Sequence, residues 1–111
     1  MTSEEAFRIA ELCIELLDSE TKWKSTSIFN EPCHIDSDSY TLGCALELMQ
    51  LSVLGKSKSR NLIMRKVRSK IRRHFFWRQG WHPITNFNRH RKTSYDDVIF
   101  LLNKVKESLS E

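Results

Sequence analysis

The sequence predicts an all-α fold: a compact bundle of about four helices, with a long irregular loop over 19–39 and an aromatic connector before the last helix. Three observations carry this reading. Only three Gly and two Pro occur in 111 residues, too few for the many turns that short strands require. Apolar residues recur at steps of three and four in four separate stretches. Ser, Thr or Asp precedes those stretches and Gly follows the second, as helix starts and stops require. The length suits one hydrophobic core, so 1–111 reads as a single domain.

The first helix is expected from Ser3 to Asp18, where Phe7, Ala10, Ile14 and Leu17 make a stripe flanked by Ala6 and Cys13. Thr2 and Glu5 have the spacing of a capping box. Glu11, Glu15 and Asp18 share a flank, where like charges repel and a basic neighbour would relieve them. The segment 19–39 mixes turn formers with Trp23, Ile28, Phe29 and Ile35. A loop that long needs pins, for which Trp23 and Phe29 are the candidates. The second helix is expected over Tyr40–Leu54, with Asp38 or Ser39 as its N-cap and Gly55 as its stop. Leu42, Ala45, Leu46, Met49 and Val53 form its stripe. Leu48, Leu51 and Leu54 widen it, so much apolar surface that the centre of the bundle is the expected place.

The third helix, expected from Ser59 to Trp77, separates cleanly into faces. Ile63, Met64, Val67, Ile71, His74 and Phe75 occupy one arc, and Arg65, Lys66, Arg68, Lys70, Arg72 and Arg73 share the rest. After the connector "WHPITNFNRHRK", the fourth helix is expected over Ser94–Leu109. Thr93 with Asp96, or Ser94 with Asp97, would cap it, and Val98, Leu101, Leu102, Val105 and Leu109 would be buried.

The net charge of +4 conceals a division along the chain. Residues 1–55 carry ten acids and three bases, 56–92 carry thirteen bases and no acid, and 93–111 carry two bases and four acids. Such asymmetry argues for an anionic partner. Cys13, Cys33 and Cys44 are an odd set without Cys-x-x-Cys spacing, which predicts reduced thiols, with Cys13 and Cys44 as small buried hydrophobes. The absence of a leader pattern or a membrane-length apolar run predicts a soluble, cytoplasmic protein with no membrane association.

The helix-end Trp (Trp23), "GCAL" at Gly43–Leu46 and "NFNRHRKTSYDDVIFLLNKV" near the end together resemble a family of small bacterial and phage proteins of unknown function. Its members show a Cys-Ala-Leu-Gly-Ala helix and a closing Trp-Asn-Asp followed by Arg-Thr-x-x-x-Val. This chain departs from that pattern with Glu47-Leu48 after Cys-Ala-Leu and with Phe87-Asn88-Arg89 in place of Trp-Asn-Asp. The resemblance implies a phage or mobile-element origin and no particular chemistry.

Six bases with no interspersed acid suit phosphate binding, because neutralising phosphates releases condensed counterions. Arg65, Arg68 and Arg72 form one ridge and Lys66, Lys70 and Arg73 a second, with Arg89, Arg91 and Lys92 on the connector. The competing reading is a solvated face balanced by the acidic first helix, although such faces usually interleave the two signs. The second and third helices only loosely match a helix-turn-helix, with Arg60 and Asn61 alone placed for base readout. In "HFFWRQGW", the rings are expected mainly to close the core, with Trp77 and Trp81 as candidate stacking or protein contacts.

No zinc-ligand spacing and no catalytic motif is present, so no metal, cofactor or enzymatic activity is expected. The connector residues His82, Asn86, Asn88 and His90, with Asp96 or Asp97, are the one enzymatic alternative. Turn bonds and helix capping explain them more simply. The expected function is that of a non-enzymatic protein whose basic helix binds nucleic acid, or an associated complex, or an acidic protein surface. An inhibitor or adaptor that uses an aromatic and Arg surface is the alternative, and homo-oligomerisation is left open.

Overall fold

The computed structural model describes residues 1–26 and 32–110 and is all-α. Among these residues there are five α-helices: α1 (Ser3–Leu16), α2 (Leu42–Leu54), α3 (Leu62–His74), α4 (Pro83–Arg89) and α5 (Tyr95–Leu109), with 3-10 turns at Glu20–Lys22 and Phe76–Arg78. The helix count is therefore five and not four, because part of the expected connector is helical. Pro83 occupies the first turn of α4, where its missing N–H costs nothing and its fixed φ favours the helix. Ile84 and Phe87 are buried from that short element.

Local signals placed the ends of the longer helices. Thr2 and Glu5 form the capping box of α1, and Ser94 and Asp97 form that of α5, the second of the two expected pairings. Gly55 stops α2 in the left-handed region at φ 74°. The N-cap of α2 is Thr41, two to three residues beyond the expected caps, because Tyr40 is held in extended backbone beside Trp23. There the Tyr40 amide donates to Lys22 O at 2.7 Å and the Lys24 amide to Tyr40 O at 3.0 Å.

The core is drawn from all five helices, with Ile9, Leu46, Val67, Ile71, Phe87, Leu101 and Leu102 fully enclosed. Each such side chain contributes about 1.5–3 kcal/mol of burial. The central helix is α1, which packs against α5, α2 and α3, and not α2 as its apolar breadth suggested. α2 rests on α1 and α4, and Leu51 on its outer side is 44 % exposed.

The segment from 19 to 39 is pinned at three places among the described residues. Trp23 packs against the core and donates its indole N–H to Asn88 Oδ1 at 2.7 Å. The Tyr40 hydroxyl donates to Ile35 O. Cys33 and Cys44 form a disulfide, with Cα atoms 5.4 Å apart. The pairing corrects the expectation of reduced thiols, which rested on count and spacing; the fold brings together two cysteines whose separation of 11 fits no motif. Closing so short a loop contributes up to about 3 kcal/mol in the chain-entropy picture. Cys44 is accordingly half-buried and bonded, whereas Cys13 is a fully enclosed free thiol, as expected. Phe29 and Ile28 lie outside the described residues. No helix among the described residues is long and apolar enough to cross a membrane.

Candidate nucleic-acid interface

The basic helix owes its position to a buried amide. Gln50 on α2 is fully enclosed, and its Oε1 accepts from the Lys58 amide at 3.2 Å and from Asn61 Nδ2. Asn61 Oδ1 in turn accepts from the Met64 amide at 3.3 Å, so Asn61 is the N-cap of α3. The helix thus begins at Leu62 instead of Ser59, and the Asn61 side chain is committed to structure and not placed to read bases. It ends at His74, three residues before Trp77, because Phe75 turns into the core and packs on Phe87 at 4.8 Å between ring centroids.

From this anchored start the apolar arc faces inward as expected, with Ile63, Val67, Ile71 and Phe75 buried and Met64 and His74 half-buried. Arg65, Arg72 and Arg73 are exposed, and Lys66, Arg68 and Lys70 half-exposed. Among the described residues none of these six forms an ion pair. The acids of α1 do not balance them: Glu11 pairs with Arg8 on its own helix at 3.4 Å. Arg78 is the exception in the basic stretch. Its guanidinium meets Asp97 at 3.0 Å and Thr93 at 3.3 Å and lies over the Phe75 ring, clamping the turn after α3 onto the start of α5.

The two ridges lie on opposite shoulders of α3. Arg65 and Arg68 look toward α4, across a groove of about 600 Å³ completed by Ser59, Arg60, Trp81, His82, Pro83, Ile84 and Thr85. Burial first, and then the neighbouring Arg60 and Arg65 guanidiniums, lower the Arg68 pKa from its ordinary value. Lys70 and Arg73 look instead toward α5, around a smaller groove of about 290 Å³ shared with His74, Lys104, Glu107 and Ser108. Arg89, Arg91 and Lys92 are exposed at the end of α4 and in the turn after it, and they line neither groove.

His74 sits at the edge of the second groove, its ring edge-on to Phe100 at 5.3 Å. Burial, followed by Arg73, Lys104 and Lys70, lowers its pKa below the usual 6.5. The folded protein thus binds a proton here less readily than the unfolded chain. This contribution to stability is complete above 6.5 and is lost as pH falls through the folded value. Melting temperatures measured from about pH 7.5 down to about pH 5 are expected to fall less steeply in His74→Gln than in the wild type.

The aromatic run divides differently from expectation. Phe75 alone closes the core, while Phe76, Trp77 and Trp81 are 60 %, 74 % and 95 % exposed. The α3–α4 turn explains why Trp81 stands out. Gly80 has φ 50°, a conformation that strains other residues, and a Cβ there would collide with Asn86 Nδ2 and displace that amide from its place in the turn. Asn86 Nδ2 donates to Gln79 O at 3.3 Å and holds the reversal closed.

The connector residues do not converge on one pocket. His82 lines the Arg groove, Asn86 bonds the turn, and His90 Nδ1 accepts from the Lys92 amide at 3.1 Å. Asn88, 2 % exposed, points the other way and joins α4 to α2 and to the 22–25 segment. Asp97, not Asp96, caps α5. Among the described residues no group of three or more His, Cys, Asp or Glu is placed to hold a metal ion. A helix-turn-helix also finds no support, since α2 packs on α1 and α4 and makes no substantial contact with α3. No family model, curated protein or solved structure matches the chain.

Proposed function

We propose that this is a non-enzymatic binding protein that docks the outer face of α3 on nucleic acid. One observation carries the reading: six Lys and Arg of a single helix face outward, and among the described residues no carboxylate pairs with any of them. Phosphates supply the missing counter-charge, and the counterions they release drive association. Arg89, Arg91 and Lys92 extend the positive field without joining the face. In the phage or mobile-element setting that the family resemblance implies, such a protein occludes the nucleic acid or a complex assembled on it.

Binding to duplex DNA is expected to weaken with salt at a log–log slope of roughly −3 to −4.5, corresponding to three to five phosphate contacts. A titration at several salt concentrations measures it, and a flat response defeats the reading. Three exposed aromatic side chains within Phe76–Trp81 favour a second reading, an adaptor or inhibitor that grips a protein through Trp77 and Trp81. Co-purification that survives nuclease treatment and is lost on Trp77→Ala would favour it.

A further inference from the structure

The groove between the start of α3 and the turn into α4 differs in kind from the rest of the basic surface. Elsewhere the cations stand on the outer side of α3, at the end of α4, or around the smaller groove that Lys70 and Arg73 share with Glu107, and no exposed Trp lines that groove. Here Arg60, Arg65 and Arg68 line one side of a concavity, while Trp81 and His82 line the other. Its volume lies within the roughly 300–1,000 Å³ common for small-ligand sites. Resting on the nucleic-acid reading above, we propose that this groove seats an unpaired nucleotide of a single strand, with the three arginines on its phosphates and the Trp81 indole stacked on its base.

Three features favour a single strand over a duplex. Trp81 is 95 % exposed, so its ring face is available and little protein contact is lost when a base covers it. A base inside a duplex is already stacked on both faces, whereas an unpaired one offers a flat surface that every base possesses. The Gly80 turn, closed by Asn86, sets the backbone from which Trp81 projects and so places the indole in the same groove as the guanidiniums. Burial lowers the Arg68 pKa most; the repulsion from Arg60 and Arg65, which lowers it further, is relieved when an anion enters. Arginine forks also suit phosphate oxygens better than a single point charge does. His82 adds a further polar contact at the rim.

The test uses the full chain and three probes: an oligothymidylate of about 12 nucleotides, a duplex of the same length, and thymidine monophosphate alone. The wild type is expected to prefer the single strand. Trp81→Ala should weaken single-strand binding about tenfold and leave duplex binding within about twofold, while Trp81→Phe keeps most of the affinity and Trp77→Ala changes neither. Because the indole is outside the core, these variants leave the fold intact. Equal affinity for strand and duplex, indifferent to Trp81, overturns the groove assignment while the basic-face reading stands. Binding of neither polymer overturns both. Monophosphate bound as tightly as the oligomer makes the ligand a free nucleotide and overturns the strand.

Discussion

Reversing Arg68 and Arg72 to Glu together is expected to lower affinity for nucleic acid by at least about 100-fold near 0.1 M salt. At a slope of about −0.9 per phosphate, each contact contributes roughly eightfold between 1 M and 0.1 M salt, so losing two removes about 60-fold and the new repulsion adds to that. Arg72 is exposed and Arg68 half-exposed, and neither is ion-paired among the described residues, so the fold does not depend on their charge. Glu is a good helix former, although near the end of α3 it opposes the helix dipole by a few tenths of a kcal/mol. Circular dichroism controls for this. A second variant with the same net charge, Lys22→Glu with Lys106→Glu, changes residues remote in sequence from α3. Equal loss in both variants would mean that overall charge, and not the α3 face, holds the ligand.

Asn88→Ala is expected to destabilise the protein by about 3 kcal/mol, lowering the melting temperature by roughly 15 °C. Asn88 Oδ1 accepts from the Trp23 indole at 2.7 Å and from the Leu42 amide at 3.0 Å. Its Nδ2 donates to Lys24 O at 3.2 Å and Ser25 O at 3.1 Å. Truncation takes the acceptor away from the Trp23 indole and from the buried Leu42 amide, and each orphaned donor costs about 1–3 kcal/mol. Asn88→Asp does not rescue, because it keeps the acceptors, loses both donations and adds a charge where only 2 % of the residue is exposed. Thermal melts followed by Trp fluorescence would measure both variants; an unchanged midpoint in Asn88→Ala would refute the four-bond account.

The contrast between these residues marks where sequence reasoning reaches. Thr2 with Glu5 and Ser94 with Asp97 were legible because a capping box closes within four residues. The two faces of α3 were legible for a related reason: helical periodicity alone sorts Ile63, Val67 and Ile71 from the bases around them. Asn88 was not, because its partners lie 46 to 65 residues away and an Asn between helices ordinarily reads as a turn former. The same distance hid Gln50, whose partners in the following loop set where the basic helix begins. α4 was missed since Gly80 and Pro83 look like loop signals, although Pro in a first turn also starts helices. The Arg groove depends on the reversal at Gly80, so Trp81 was recognisable as a candidate while its neighbours Arg60 and His82 were not grouped with it. Trp77, although exposed, lies outside that groove.

Three cysteines allow three alternative cross-links, yet the native protein has only one. Attack on a disulfide requires a thiolate within reach, and Cys13 meets neither condition: it has no exposed surface, and burial raises its pKa far above the ordinary value. The Cys33–Cys44 bond is therefore secure against internal exchange for as long as the helices stay packed, and scrambled isomers arise only from chains that have first come apart.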